Sequence, residues 1–119
     1  MNFIRELFNA AMSGRHIGKG IKLTRRGKYE DALYHYRLSV VYEGRSGEAP
    51  NPATREYLAR TYARLGNLKN ALVLAEESYD LYRQLNLTNT LIAESLSRVE
   101  RLIAGIKAGN IDDINKMLS

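Results

Sequence analysis

Between Tyr57 and Tyr79 the chain carries two apolar stripes at helical spacing, separated by a Gly-Asn pair. Leu58, Tyr62 and Leu65 recur at intervals of three and four before the pair, and Leu68, Ala71, Leu72, Ala75 and Tyr79 do so after it. That spacing predicts two amphipathic helices. Gly66 stands where a helix C-terminus calls for a residue that tolerates the left-handed conformation. Ala59, Ala63, Ala71, Ala75 and Ser78 are small enough to let two helix backbones approach closely. The stretch therefore reads as a helical hairpin with its turn at Gly66-Asn67.

The hairpin recurs. Displacing the chain by 39 residues lays Gly27 on Gly66, Tyr29 on Leu68, Ala32-Leu33 on Ala71-Leu72 and Ser39 on Ser78. Upstream it lays Leu23 on Tyr62, Gly20 on Ala59 and Arg25 on Arg64. Self-similarity at such a period is the mark of helical-repeat proteins, in which neighbouring hairpins bury one another's apolar faces. The order of small and apolar residues (Gly20 before Leu23, Gly27 before Tyr29, Ala32 before Tyr36, then Ala59, Tyr62, Gly66, Ala71) resembles the tetratricopeptide repeat. The resemblance covers about residues 14–83 as two repeats, with a degenerate third trace at Gly109-Asn110-Ile111. The period exceeds the family's usual ~34 residues, consistent with a longer second helix and the loop from Glu43 to Pro52. His16 and Arg55 stand where the family often has a large aromatic.

The remaining chain fits around these hairpins. Residues 2–13 predict an amphipathic helix with Phe3, Ile4, Leu7, Phe8, Ala11 and Met12 on one stripe, capped by Asn2 and ended by Gly14; the stripe is expected to pack on the first repeat, and a membrane-surface helix is the alternative, since Phe and Leu face one way and basic residues follow. It lacks the continuous apolar run of a secretory signal. Residues 15–26 and 28–44 form the first repeat, the second helix burying Ala32, Leu33, Tyr36, Val40 and Val41. Glu43 to Pro50 is a polar, Gly/Pro-rich loop, and Asn51-Pro52 starts the next helix with an N-cap and a proline at its first position. From Thr88 to Ala108 runs a long stripe of Leu91, Ile92, Ser95, Leu96, Val99, Leu102, Ile103 and Ile106, with Glu94, Arg98, Glu100 and Arg101 on the polar face. It reads as a terminal cap stopped by Gly109, and Asn110 caps a last short helix with Ile111, Ile114 and Leu118. The expected architecture is one all-α domain, a short right-handed solenoid: N-terminal helix 1–13, repeats 14–50 and 51–86, and the capping helix with its degenerate third repeat over 87–119.

At 119 residues, 45% apolar and 26% charged, the chain is an ordinary globular composition. It has no cysteine, so thiolate nucleophiles and thiolate metal ligands are excluded, and a reducing cytoplasm is the default setting. His16 and His35 fall on different helices without paired acids. Glu30-Asp31, Glu76-Glu77 and Asp112-Asp113 are adjacent pairs that point apart on a helix. Gly14 to Gly20 lacks the Gly-Lys-Ser/Thr ending of a phosphate loop. No enzyme, metal or cofactor is expected. No run approaches the ~20 apolar residues of a membrane span. Of the eight tyrosines, Tyr29, Tyr36, Tyr62 and Tyr79 are expected between helices, and Tyr34, Tyr42, Tyr57 and Tyr82 at the surface.

The net charge of +5 is uneven. Residues 1–69 hold thirteen Lys/Arg against six Asp/Glu, and no acid lies between Glu6 and Glu30. A base stands two residues before each turn glycine: Arg25, Arg64 and Lys107. Resemblance to tetratricopeptide repeats implies that first helices line a concave groove, so these three, with Lys22, Arg26 and Arg60, are expected to form a basic row. The expected function is a protein–protein interaction module or adaptor binding an acidic peptide or partner helix there. The alternatives are a basic module meeting an anionic surface, lipid or nucleic acid, through residues 15–28, and a self-associating scaffold.

Overall fold

A computed structural model describes residues 2–86, 88–109 and 111–118, without the side chains of residues 111, 113 and 117. The described chain is all-helical, with six helices and no strand: α1 (Phe3–Arg25), α2 (Tyr29–Ser46), α3 (Pro52–Arg64), α4 (Leu68–Arg83), α5 (Thr90–Ala108) and α6 (Ile111–Leu118). The all-α expectation holds. Two compact units divide the chain, Met1–Pro50 and Asn51–Ser119.

In the first unit α1 and α2 form a hairpin. Arg26, Gly27 and Lys28 turn it: the Gly27 amide donates to Thr24 O (3.0 Å) and the Lys28 amide to Leu23 O (2.9 Å), with Gly27 at φ 74°. This is the pair of bonds that satisfies the last carbonyls of a helix when the residue after its cap is left-handed. The break expected at Gly14 does not occur; α1 runs unbroken for 23 residues. A helical glycine costs about 1 kcal/mol relative to alanine, too little to outweigh the hydrogen bonds of a continuous helix docked on a partner. Asn2 caps α1 as expected, accepting from the Arg5 amide at 3.0 Å.

The contact between α1 and α2 is polar. Asn9, Ser13, His16 and Gly20 are the buried residues of α1. Ser13 Oγ donates to Ser39 O at 2.9 Å and lies 3.0 Å from Ser39 Oγ. The Nδ1 atoms of His16 and His35 are 2.9 Å apart, and the His16 ring stacks on Tyr42. Tyr36 fills the gap left by Gly20, and its hydroxyl is 3.2 Å from Thr24 Oγ1. The Phe3, Ile4, Leu7 and Phe8 stripe expected to pack on the first repeat is instead exposed, at 70%, 79%, 54% and 59%. Val41, expected in the core, is exposed too.

The second unit has the larger core. Asn51 caps α3, accepting from the Ala53 amide at 2.9 Å, with Pro52 at the helix start. α3 and α4 form a hairpin turned at Leu65, Gly66 and Asn67, where Gly66 (φ 82°) donates to Ala63 O (3.1 Å) and Asn67 to Tyr62 O (2.9 Å). Each of these donors and acceptors lies 39 residues after its counterpart in the first hairpin. The same displacement relates Ser13–Ser39 to Pro52–Ser78, where the Ser78 hydroxyl donates to Pro52 O at 2.8 Å. α5 packs on α4, and α6 packs on α3 and α5. Ala59, Ala63, Ala71, Ala75, Leu102, Ile106, Ile114 and Leu118 form the core. Gly109 ends α5 at φ 68°, as the sequence predicts. Of the α5 stripe, Val99, Leu102 and Ile106 are buried but Leu91 is 70% exposed. Asn110 and the Ile111 side chain lie outside the described residues.

Candidate anion-binding site

The second unit gathers its charge around one buried acid. Glu56, in the second turn of α3, is only 3% exposed. A carboxylate in such a place is costly unless its oxygens are paired and hydrogen-bonded. Arg98 of α5 supplies the pairing through a fork: its Nη2 donates to Glu56 Oε1 at 2.8 Å and its Nε to Oε2. The Tyr82 hydroxyl of α4 donates to Oε1 at 3.0 Å, and Arg60, one turn along α3, lies 3.7 Å from Oε2. The Glu56 bond holds the Arg98 proton more firmly than usual. Burial, then the adjacent Glu56 charge, pushes the Tyr82 hydroxyl up to about 12, so it stays a donor at neutral pH. Tyr82 is buried, not exposed as expected.

Beside this knot lies a cavity of about 170 Å³ lined by Glu56, Arg60, Arg98, Arg101, Leu102 and Leu118. Three arginines and one glutamate are among its lining residues, and that glutamate is already engaged by Arg98 and Tyr82. Leu102 and Leu118 give an apolar wall. The excess positive charge suits a carboxylate or another compact anion, since the arginine fork matches two oxygens at once.

Of the six bases expected in a row, Arg60 lines this cavity. Arg64 is near it, donating through Nη2 to the backbone oxygen of Leu118 at 2.7 Å. Lys107 is exposed in the last turn of α5 and is not a lining residue. Lys22, Arg25 and Arg26 are exposed at the end of α1 and belong to the first unit. Sequence reasoning missed Glu56, Arg98 and Arg101. The one available signal was Glu56 with Arg60 a turn later, a helical ion pair like many others; nothing local reveals that Arg98 folds onto it from 42 residues away.

The two histidines converge, but among the described residues no group of three or more His, Asp or Glu is placed to hold a metal ion. No helix there is long and apolar enough to cross a membrane. Fold and site together define an all-helical protein with an arginine-lined cavity. No protein-family model, curated protein or solved structure matches the chain.

Proposed function

We propose that this protein is a non-enzymatic interaction module whose second unit receives an acidic group of a peptide or partner helix between Arg60, Arg98 and Arg101. The observation that carries this reading is the charge imbalance of the cavity, three arginines around a single carboxylate. Its volume is below the ~300 Å³ of ordinary small-molecule pockets, which fits one carboxylate of a larger ligand. Glu56 takes up the Arg98 fork and fixes that guanidinium, so Arg98 contributes a stationary positive charge at little further cost in side-chain entropy. The tetratricopeptide-like reading of the two hairpins belongs to the same proposal. It is supported by the matching turns at Gly27 and Gly66 and by the serine contacts 39 residues apart.

The test is a fluorescence titration of the full chain with two labelled peptides, one ending in consecutive aspartates and a free carboxylate, the other its amidated asparagine counterpart. The acidic peptide is expected to bind and its amide to fail. Arg101→Ala, which removes an exposed side chain, is expected to weaken binding about tenfold, the value of one charge-assisted hydrogen bond. Equal binding of the two peptides, or indifference to Arg101→Ala, would overturn the proposal.

A further inference from the structure

α1 turns the large apolar side chains of its first turns, Phe3, Ile4, Leu7 and Phe8, outward. Its buried rail, Asn9, Ser13, His16 and Gly20, is polar or small and is matched by polar groups of α2. The opposite rail follows the same four-three stepping through Ile4, Phe8, Ala11, Arg15, Lys19, Lys22 and Arg26, and every one of these is exposed. Phe3 and Leu7 flank its first half and Arg25 its second. One continuous face, ~34 Å long at 1.5 Å per residue, is thus bulky and apolar over its first turns and basic over its last. The only acid of α1 is Glu6, which is half-buried and off this rail.

We infer that this face docks on an anionic lipid bilayer, with Phe3, Ile4, Leu7 and Phe8 entering the acyl boundary and Arg15, Lys19, Lys22, Arg25 and Arg26 lying on the headgroups. A bilayer surface offers hydrocarbon and negative charge in one plane, and a helix with this division of its exposed face is complementary to both. A second copy of the chain fits less well: parallel α1 helices set base against base, and antiparallel ones set phenylalanine against lysine. Nucleic acid complements the basic half and leaves the four large apolar side chains in water. The face belongs to the first unit and does not depend on the arginine-lined cavity.

Co-sedimentation of the full chain with phosphatidylcholine vesicles, with and without phosphatidylserine, decides the matter. Binding is expected only with phosphatidylserine and is expected to weaken at raised salt. Lys19→Glu with Lys22→Glu should reduce it at least tenfold, since each reversal replaces an attraction to the headgroups by a repulsion. Ile4→Ser with Phe8→Ser should reduce it as strongly while leaving the helical circular dichroism intact, because both side chains are exposed. Arg101→Ala should not change it, which separates this surface from the peptide site. Absence of vesicle binding would overturn the inference, as would equal binding to neutral vesicles. A dimer that forms with rising concentration and is abolished by Ile4→Ser with Phe8→Ser would assign the face to a second copy instead, and binding to duplex DNA but not to vesicles would assign it to nucleic acid.

Discussion

Gly20 and Gly14 occupy the same helix and have opposite requirements. A Cβ built on Gly20 would fall 2.7 Å from Tyr36 Cδ1 and 2.8 Å from Cζ, whereas one on Gly14 meets nothing within 4 Å. Tyr36 is 2% exposed and tethered to Thr24, so its ring has no free space to move into. In the second hairpin the positions 39 residues on are Ala59 and Ala75, both fully buried, so the small-with-large pairing of the first is replaced by small with small. Gly20→Ala gains about 1 kcal/mol of helix propensity against an overpacking cost of about 1–3 kcal/mol, and a net loss of stability is expected. Gly14→Ala gains the propensity with no opposing contact and should stabilise by about 0.5–1 kcal/mol. Urea denaturation of the full-length variants measures both; stabilisation by Gly20→Ala would mean that Tyr36 does not confine Gly20.

At the scale of elements, the contact between α1 and α2 includes a buried group that titrates, His16. His16 resists protonation more than an ordinary histidine, first because it is buried and then because a proton on it would be repelled by the cationic groups nearby, Lys19 and Arg15 among them. The neighbouring Tyr42 ring stacks on it at 5.5 Å. The unfolded chain takes up this proton near pH 6.5, the folded chain only at lower pH. Between those values the unfolded state binds more protons, so stability falls as pH falls; above pH 6.5 this group costs nothing. The slope is at most about 1.4 kcal/mol per pH unit for one histidine. A proton NMR titration of the His16 ring should show a midpoint below 6.5, and His16→Gln should flatten the pH dependence of the melting temperature. A midpoint at or above the ordinary histidine value would refute the reading. Three helix stops were legible in the sequence because turn chemistry is local: Gly27, Gly66 and Gly109 all adopt the left-handed backbone that their positions predict. The end expected at Gly14 and the loop expected from Glu43 were not borne out, since α1 runs through Gly14 and α2 continues to Ser46. The burial of α1 was not legible. Periodicity finds an apolar stripe but takes for granted that the stripe points inward, and here polar partners on α2 hold the other face. The Glu56 knot was invisible for a related reason, since its bonds join helices distant in sequence.

At the scale of the whole chain, the two units are unequal in what holds them. Among the described residues, Ala32 and Tyr36 are the only buried hydrophobic residues of Met1–Pro50, and the other eleven belong to Asn51–Ser119. A hairpin of 23 and 18 helical residues that fully buries only these two has the smaller apolar core to hold it against local unfolding. The second unit closes a core with residues from α3, α4, α5 and α6. It also carries the Glu56–Arg98 knot, whose partner residues come from three helices. Separate fragments are therefore expected to behave differently. Residues 51–119 should keep helical circular dichroism and melt in one cooperative transition, and residues 1–50 should show weak helicity that declines gradually on heating. Within the larger fragment, Arg98→Ala removes the fork from a buried carboxylate and should cost about 3 kcal/mol, the low end for breaking a buried pair because the Arg98 side chain is 44% exposed. A cooperative melt of residues 1–50, or none from residues 51–119, would show that burial of apolar side chains does not set the order of stability in this chain.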